Sequence, residues 1–366
     1  MTQKKNIFVA VTNDISTDQR VHKVASYLLE KNFNVLVYGR VLPNTFFVKR
    51  PYKIQRMKHW FHHNFLFYAE YNVRLFLKLL FYKCDYILAN DLDTLPACFF
   101  ASKFKKTTLV YDSHELFSEV PELQNSKFVR RFWRSLESFF LPRLQKSYTV
   151  SQSIADFYNT KYKSNMGVVR NVPFLQKKTI KVDAKFPTNH KTILYQGVLN
   201  PGRGIKPMIK ALKYLKDVDL IIIGYGKVEE ELKNFVKEEL LVNRVHFLGR
   251  IPHNELENFT KIADLGMVLE EPLGLSFEYS LPNKLFDYIH AELPIVTGNL
   301  TEISKVIKEY KLGVSIDNYQ PKTIANAVEE LLNNKELYKE IKNNQQKVKE
   351  QFCWEQEKQL LDNYFN

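Results

Sequence analysis

The sequence predicts an α/β protein made of two doubly wound, parallel-sheet domains facing a central cleft. Three observations carry this reading. Short apolar runs alternate with amphipathic segments of helical period, the pattern of parallel strands joined by crossover helices. The series runs once from the N-terminus and restarts near residue 190. The chain has 366 residues, 45% of them hydrophobic, which is enough for two cores of ordinary size.

In the first series, Ile7–Val11, Val35–Tyr38, Tyr86–Ala89, Thr108–Tyr111 and Ser147–Val150 read as buried strands, with Arg20–Lys31 as an amphipathic helix after the first. In the second, Thr192–Tyr195, Asp219–Ile223, Arg244–Phe247, Leu265–Val268 and Pro294–Thr297 read as strands. Ile205–Leu215, Lys227–Glu239 and Asn254–Ile262 read as the helices between them. The expected domains are 1–175 and 190–350, joined through Asn171–His190, a polar, proline-containing stretch of weak periodicity. The tail from Leu332 is helical and highly charged. Residues 351–366 are expected to form a helix that crosses back to the first domain; a plain C-terminal helix of the second domain is the alternative.

The net charge is +13, and it is unevenly placed. Residues 1–180 hold 28 Lys and Arg against 13 Asp and Glu, a balance of +15, whereas residues 181–366 hold 25 against 27, a balance of −2. The first half is therefore expected to meet an anionic partner. Two segments mix cations with aromatic side chains, as interfacial helices do. Phe46–Tyr82 contains Lys49-Arg50, Trp60 and His62-His63; Lys127–Lys146 contains Arg130-Arg131-Phe-Trp133-Arg134 and Phe139-Phe140. Such stripes are equally the inner faces of core helices. An anionic membrane surface is the expected partner; no RNP-type or KH-type motif supports nucleic acid. Cys84, Cys98 and Cys353 make no metal or disulfide pattern. No run of 18 apolar residues occurs, and Met-Thr-Gln-Lys-Lys-Asn leads straight into a strand without a signal-peptide pattern. The expected location is cytoplasmic, peripheral on the inner face of the plasma membrane.

Several loops at strand C-termini carry candidate chemistry. Ser280-Leu-Pro-Asn-Lys-Leu-Phe-Asp-Tyr-Ile-His-Ala-Glu-Leu-Pro294 reads as a proline-punctuated loop, a short helix and a buried strand. Its helix N-terminus and Lys284 suit phosphate, and Asp287, one turn on, can accept hydrogen bonds from ribose hydroxyls. An ordinary strand–loop–helix joint would carry the same residues. Tyr195-Gln-Gly-Val-Leu-Asn-Pro-Gly-Arg-Gly-Ile205 is a glycine-rich loop between strand and helix. Gly197 and Gly204 allow close backbone approach, and Arg203 can grip phosphate oxygens, although G-x-G-x-x-G spacing is missing. Gly224-Tyr-Gly226 turns a corner after the next strand. Gly249-Arg250-Ile251-Pro-His253 is placed to contact a base or merely to connect. In the first half, Asn13-Asp14-Ile-Ser-Thr-Asp18-Gln-Arg20-Val21 is a polar loop after the first strand. Tyr111-Asp-Ser-His114-Glu115 places a histidine where it can bond a substrate hydroxyl or stabilise developing charge. Asn90-Asp-Leu-Asp93 is similarly placed, but no further ligands arrive at a spacing that would make a metal cage.

Taken together, Asn13–Arg20, Asn90–Pro96, Tyr111–Leu123, Gly197–Gly204 and Ser280–Pro294, in this order and spacing, resemble family 4 of the retaining, nucleotide-sugar-dependent glycosyltransferases (glycosyl transferases group 1). The resemblance covers nearly the whole chain. It implies the GT-B arrangement of two Rossmann-like domains, an N-terminal acceptor domain and a C-terminal donor domain. It implies that Arg203 and Lys284 neutralise the donor diphosphate, that Asn283, Lys284, Leu285 and Phe286 present helix amides to the phosphates, and that Asp287 chelates the ribose. It further implies that Gly249, Arg250, Ile251 and Pro252 contact the base and that His114 lies beside the transferred sugar. Asn13, Asp14, Asp18, Arg20 and Glu115 then face the acceptor side. The implied donor is a UDP-sugar, with a GDP-sugar as the other possibility, and no metal is required. Two positions depart from the family pattern. The family often carries two glutamates eight positions apart; here Asp287 replaces the second, and Tyr279 stands at the first. Glu270, Glu271 and Glu278 lie nearby without that spacing. Glu292 stands where a glycine commonly ends the helix, at a cost of about 1 kcal/mol if that residue needs positive φ. The expected function is transfer of a sugar, with retention of configuration, to a glycan or polyprenyl-diphosphate-linked acceptor in surface or capsular polysaccharide synthesis. A nucleotide-sugar epimerase of similar architecture and a non-catalytic nucleotide- or glycan-binding protein are the alternatives.

Overall fold

The structure is a computed structural model that describes residues 4–42, 48–62, 64–124, 126–175 and 182–366. Phe46, Phe47 and His63 of the first basic-aromatic segment, and residues 176–181 of the expected join, lie outside the described residues. The chain divides into two units, one of residues 1–170 with 358–366, the other of residues 171–357.

The first unit contains seven strands: β1 (Asn6–Ala10), β2 (Asn34–Arg40), β3 (Lys53–Met57), β4 (Tyr86–Asn90), β5 (Thr108–Ser113), β6 (Ser147–Thr149) and β7 (Met166–Val168). They form one sheet in the order β3-β2-β1-β4-β5-β6-β7, with every pair parallel. The second unit contains β8 (Lys191–Gln196), β9 (Val218–Ile223), β10 (Val245–Gly249), β11 (Leu265–Val268), β12 (Ile295–Gly298) and β13 (Gly313–Ile316), in the order β10-β9-β8-β11-β12-β13, again parallel throughout. Both are Rossmann-like sheets, the pair of domains from which the GT-B architecture is composed.

The central strands are apolar on both faces because helices cover both sides. In the second unit, Ile193, Tyr195, Leu220 and Ile222 point into one core, and Leu194, Ile221, Ile223 and Val268 into another. Three strands go beyond the ten expected from the sequence: β3, β7 and β13. All three are sheet edges. β3 is half polar, with alternating exposed and partly buried residues, and the other two are only three or four residues long. An edge strand needs no continuous apolar run, so it leaves little signal.

Each sheet reverses its winding once, between β1 and β4 in the first unit and between β8 and β11 in the second. In open α/β sheets, ligands bind outside the strand C-termini at such a reversal. The polar side chains of interest gather at these two places. At the C-terminal end of the chain, the helix Trp354–Leu360 is followed by a short turn of helix, Asp362–Phe365. There Asp362 accepts a hydrogen bond from Tyr27 at 2.6 Å and Lys358 pairs with Glu30 at 2.7 Å.

Candidate functional site

In the second unit, three loops at strand C-termini are stitched by backbone hydrogen bonds. Gly197 donates to Ile223 at 2.9 Å, and Gly224 donates to the Gly249 carbonyl at 2.8 Å. Gly204 opens the helix Ile205–Ala211 with φ +67°, and a Cβ there would collide with the Leu269 carbonyl. That close approach brings the loop after β8 against the loop after β11, and it positions Arg203.

Arg203 and Lys284 converge on a carboxylate that the sequence reading left without a role. Glu270 is fully buried. Its Oε1 lies 2.8 Å from Lys284 Nζ and 3.5 Å from Arg203 Nη1. Burial opposes the charged carboxylate, but Lys284 and Arg203 outweigh it and hold Glu270 below the usual carboxylate range. Lys284 Nζ at 2.8 Å is a charge-assisted partner of Oε1, while Glu270 Oε2 meets no side-chain donor among the described residues. Buried polar atoms without partners are costly, so this cluster has capacity for a polar ligand. Lys284 Nζ also stands over the Tyr195 ring at 4.0 Å, and the Arg203 guanidinium over Phe277 at 4.7 Å. Gly197 completes the group, since a Cβ there would lie 3.6 Å from Lys284 Cε.

The helix Asn283–His290 starts without a side-chain cap, which leaves its positive end available to an anion. The Leu285 amide donates to Pro282 at 3.0 Å, and the Leu285 side chain is fully buried. Asn283 accepts from Asn171 at 2.9 Å. Asp287 accepts from Gln196 Nε2 at 3.2 Å, and Gln196 in turn accepts from Thr260 at 2.8 Å. These residues, with His253, Leu256 and Glu257, line a small cavity. Gly249 has φ +66° and open space where a Cβ would stand. Arg250 is exposed and stacks on Tyr225 at 5.2 Å, whereas Ile251 packs on the core. Glu278 accepts from the Thr301 amide at 3.0 Å and so caps the next helix. Glu292 has φ +55°, the left-handed conformation in which the family pattern uses glycine, and it pairs with Lys349 at 2.6 Å.

In the first unit, a second polar network sits at the β1/β4 reversal. His114 Nδ1 lies 3.2 Å from Asp91 Oδ2, and Nε2 lies 3.5 Å from Asp112 Oδ2. Nε2 also lies 3.2 Å from Asn90 Oδ1. Burial opposes the imidazolium, but Asp91 and Asp112 outweigh it and the His114 pKa is pushed up to about 9. At neutral pH His114 is therefore a cationic hydrogen-bond donor, not a general base. Asp93 is the opposite case. Burial and Asp91 push it up to about 7, and Thr12 donates to it at 2.5 Å.

The polar loop Asn13–Arg20 spends its side chains on its own geometry. Asp14 accepts from the Ser16 amide at 2.9 Å. Asp18 caps the helix Gln19–Glu30 by accepting from Val21 at 3.0 Å, and Asn13 donates to Asp18 at 3.3 Å. Arg20, expected at the loop's polar face, is buried instead. Its Nη2 and Nε grip Asp112 at 2.6 and 3.0 Å, and Nη1 donates to the Val169 carbonyl at 3.0 Å. Glu115 is exposed. Among the described residues no three His, Cys, Asp or Glu side chains are arranged to hold a metal ion.

Residues 176–348 match the profile of the family glycosyl transferases group 1. The second unit is a group 1 glycosyltransferase domain. An uncharacterised glycosyltransferase of Methanocaldococcus jannaschii is 23% identical over 162 residues, 44% of this chain and 44% of its own length. The chain thus spans less than half the length of such curated relatives. Among solved structures, sucrose-phosphate synthase of Thermosynechococcus elongatus superposes with a TM-score of 0.83 at 14% identity, covering 99% of this chain and 98% of the other. HepE of Anabaena in complex with UDP-glucose gives 0.76 at 15% identity and 98% of each chain. At such identities these likenesses speak for the fold alone. Within the second unit, the sequence assigns Gln196 and Thr260 no role and names Glu270 only as one of three carboxylates near Asp287 that lack the family spacing. The one signal for Glu270 was its place just beyond β11, at the reversal of the sheet.

Proposed function

We propose that the protein is a glycosyltransferase that moves a sugar from a nucleotide-sugar donor, with retention of configuration, to a glycan or polyprenyl-diphosphate-linked acceptor. One observation carries the reading: Arg203 and Lys284 converge on a buried, incompletely hydrogen-bonded site at the sheet reversal of a group 1 domain. Two cations at an uncapped helix end suit a diphosphate that gains charge as its bond to the sugar breaks. Asp287, held by Gln196, takes the ribose hydroxyls. Gly249, open on its Cα, lets the base approach the backbone of the loop Gly249–Pro252. The acceptor hydroxyl attacks from the side on which the diphosphate leaves, and a leaving phosphate oxygen takes its proton. In the first unit, the His114 imidazolium keeps its ring nitrogens on Asp91, Asp112 and Asn90 and orders the strand ends of the acceptor domain.

UDP is the favoured nucleotide, supported by the UDP-glucose complex of HepE; GDP is the second choice. No metal takes part in donor binding. The setting is the synthesis of surface or capsular polysaccharide at the cytoplasmic face of an anionic membrane, with the basic first unit as acceptor domain. The test is a thermal-shift panel of UDP, GDP and ADP and their sugars, followed by product analysis with the donor that binds. A donor at 100 times its dissociation constant adds about 2.7 kcal/mol of stability. A panel in which no nucleotide or nucleotide-sugar shifts the melt would end the proposal. Turnover of a bound donor to an epimer, with no transfer to any acceptor, would move the protein to the epimerase class.

A further inference from the structure

We infer that the outer face of the helices Asn64–Phe81, Leu95–Lys105 and Lys127–Phe140 is a docking surface for an anionic lipid bilayer. This deepens the membrane-side part of the function proposed above and rests on it. The three helices lie side by side, as their ring contacts record. Phe65 meets Phe132 at 5.9 Å, Phe76 meets Phe104 at 6.0 Å, and Phe99 meets Phe139 at 6.3 Å. Each helix buries one aromatic or aliphatic stripe and leaves another outside. Phe81 is 87% exposed, Phe104 72% and Phe128 84%. Large apolar side chains left outside on three adjacent helices of a folded unit mark an interaction surface.

The charges around the patch choose the partner. The three helices contain two carboxylates, Glu70 and Glu137, and both are turned inward, with Glu70's side chain 7% exposed and Glu137 only 1% exposed. Several cations are likewise used internally. Arg130 and Arg134 pair with the buried Glu119, and Lys105 donates to the Leu79 carbonyl at 2.8 Å. Lys103, Lys106, Lys127 and Arg131 remain exposed among the outward rings, with no carboxylate on these helices facing out to meet them. A second copy docked on the same face would set cations against cations, which disfavours self-association. A bilayer with anionic headgroups takes both features together, rings into the interface and cations onto the headgroups.

One further device supports an outward rather than a collapsed arrangement. Glu70 accepts from the Trp60 and Phe61 amides at 3.0 and 2.9 Å, and Arg74 stacks on the Trp60 ring at 4.2 Å. Glu70 thus holds in place a loop whose tryptophan is 79% exposed. Amphipathic tryptophan suits the headgroup layer.

The test is co-sedimentation of the full chain with vesicles of pure phosphatidylcholine and with vesicles containing about one-third phosphatidylglycerol, which carry a negative surface potential. Wild type is expected to bind the anionic vesicles and to release as salt rises. The variant Phe81→Ser/Phe104→Ser/Phe128→Ser should bind them at least tenfold more weakly, and Lys127→Glu/Arg131→Glu should lose the preference for anionic lipid. UDP binding is read in the same samples. Lost vesicle binding with UDP binding intact supports the surface. Wild type that ignores anionic vesicles, or a triple variant that still sediments with them, overturns it. So does a concentration-dependent dimer or an RNA complex that the triple variant abolishes while vesicle binding persists. Wild type that binds vesicles but no nucleotide would sink the transferase reading and leave the docking surface standing.

Discussion

Replacing Glu270 by Gln removes one negative charge from a site that holds two positive ones. Its contacts are 2.8 Å to Lys284 and 3.5 Å to Arg203. At an effective dielectric of 20, each such contact is worth about 5–6 kcal/mol of attraction. Loss of the carboxylate also removes its own burial cost, which is several kcal/mol. Breaking a buried pair from one side typically leaves a net loss of about 3–5 kcal/mol. For a unit of this size that lowers Tm by about 6–20 °C. A diphosphate supplies the missing negative charge, so saturating UDP should raise the Tm of Glu270→Gln more than that of wild type. The effect also has a pH signature. The folded carboxylate titrates below its usual range, so its contribution is full above the unfolded pKa of about 4.3 and fades as pH falls through the folded value. The gap between wild type and variant should therefore close in acid. Scanning calorimetry from about pH 2.5 to pH 7.5, with and without UDP, measures all three. A variant that melts within about 1 °C of wild type, or that gains no more from UDP than wild type does, refutes the assignment.

Other expected outcomes are simpler. Asp287→Ala should abolish donor binding while the free protein stays folded, because Asp287 is partly exposed at the rim of its cavity; sugar transfer at the wild-type rate would remove it from the site. Arg20→Lys should destabilise the first unit by about 3 kcal/mol, since lysine cannot reproduce the buried two-pronged grip on Asp112; denaturant titration reads this directly. His114 has a folded pKa above its unfolded value, so its stabilising contribution is full below about pH 6.5 and lost as pH rises through about 9. His114→Gln should flatten that alkaline limb, and an unchanged limb would assign it to another group. Glu292→Gly should relieve about 1 kcal/mol of left-handed backbone strain at φ +55° and forfeit about 0.5 kcal/mol from the half-exposed pair with Lys349. A net gain in Tm is expected, and a loss would mean the pair outweighs the strain.

Much of the fold was legible because the central strands are covered on both faces and so are written as apolar runs. Leu265–Val268 and Val35–Tyr38 are examples. What escaped, β3, β7 and β13, are edges with one side in water. The candidate site was legible where chemistry follows local order. Lys284 sits at the mouth of its helix and Asp287 one turn on, as the spacing of Ser280–Pro294 implied. It was illegible where contacts cross the chain. Nothing near Glu270 in sequence announces that residues 203 and 284 will meet it, and nothing beside Asp112 announces Arg20, 92 positions away. The loop Asn13–Arg20 shows the limit from the other direction. Its polar residues looked available for a ligand, yet Asp14 and Asp18 bond their own backbone. Short polar side chains near a helix start often do so.

The central claim is that the second unit holds a nucleotide diphosphate-sugar on Arg203, Lys284 and Asp287. Calorimetric titration of UDP and of UDP-sugars into wild type, Arg203→Ala and Asp287→Ala tests it most directly. The account predicts saturable one-site binding to wild type. It predicts at least tenfold weaker binding to each variant, for losses of about 1.4 kcal/mol or more, with both variants folded. Wild-type affinity in both variants, or no binding of any nucleotide diphosphate by the wild-type protein, would contradict it.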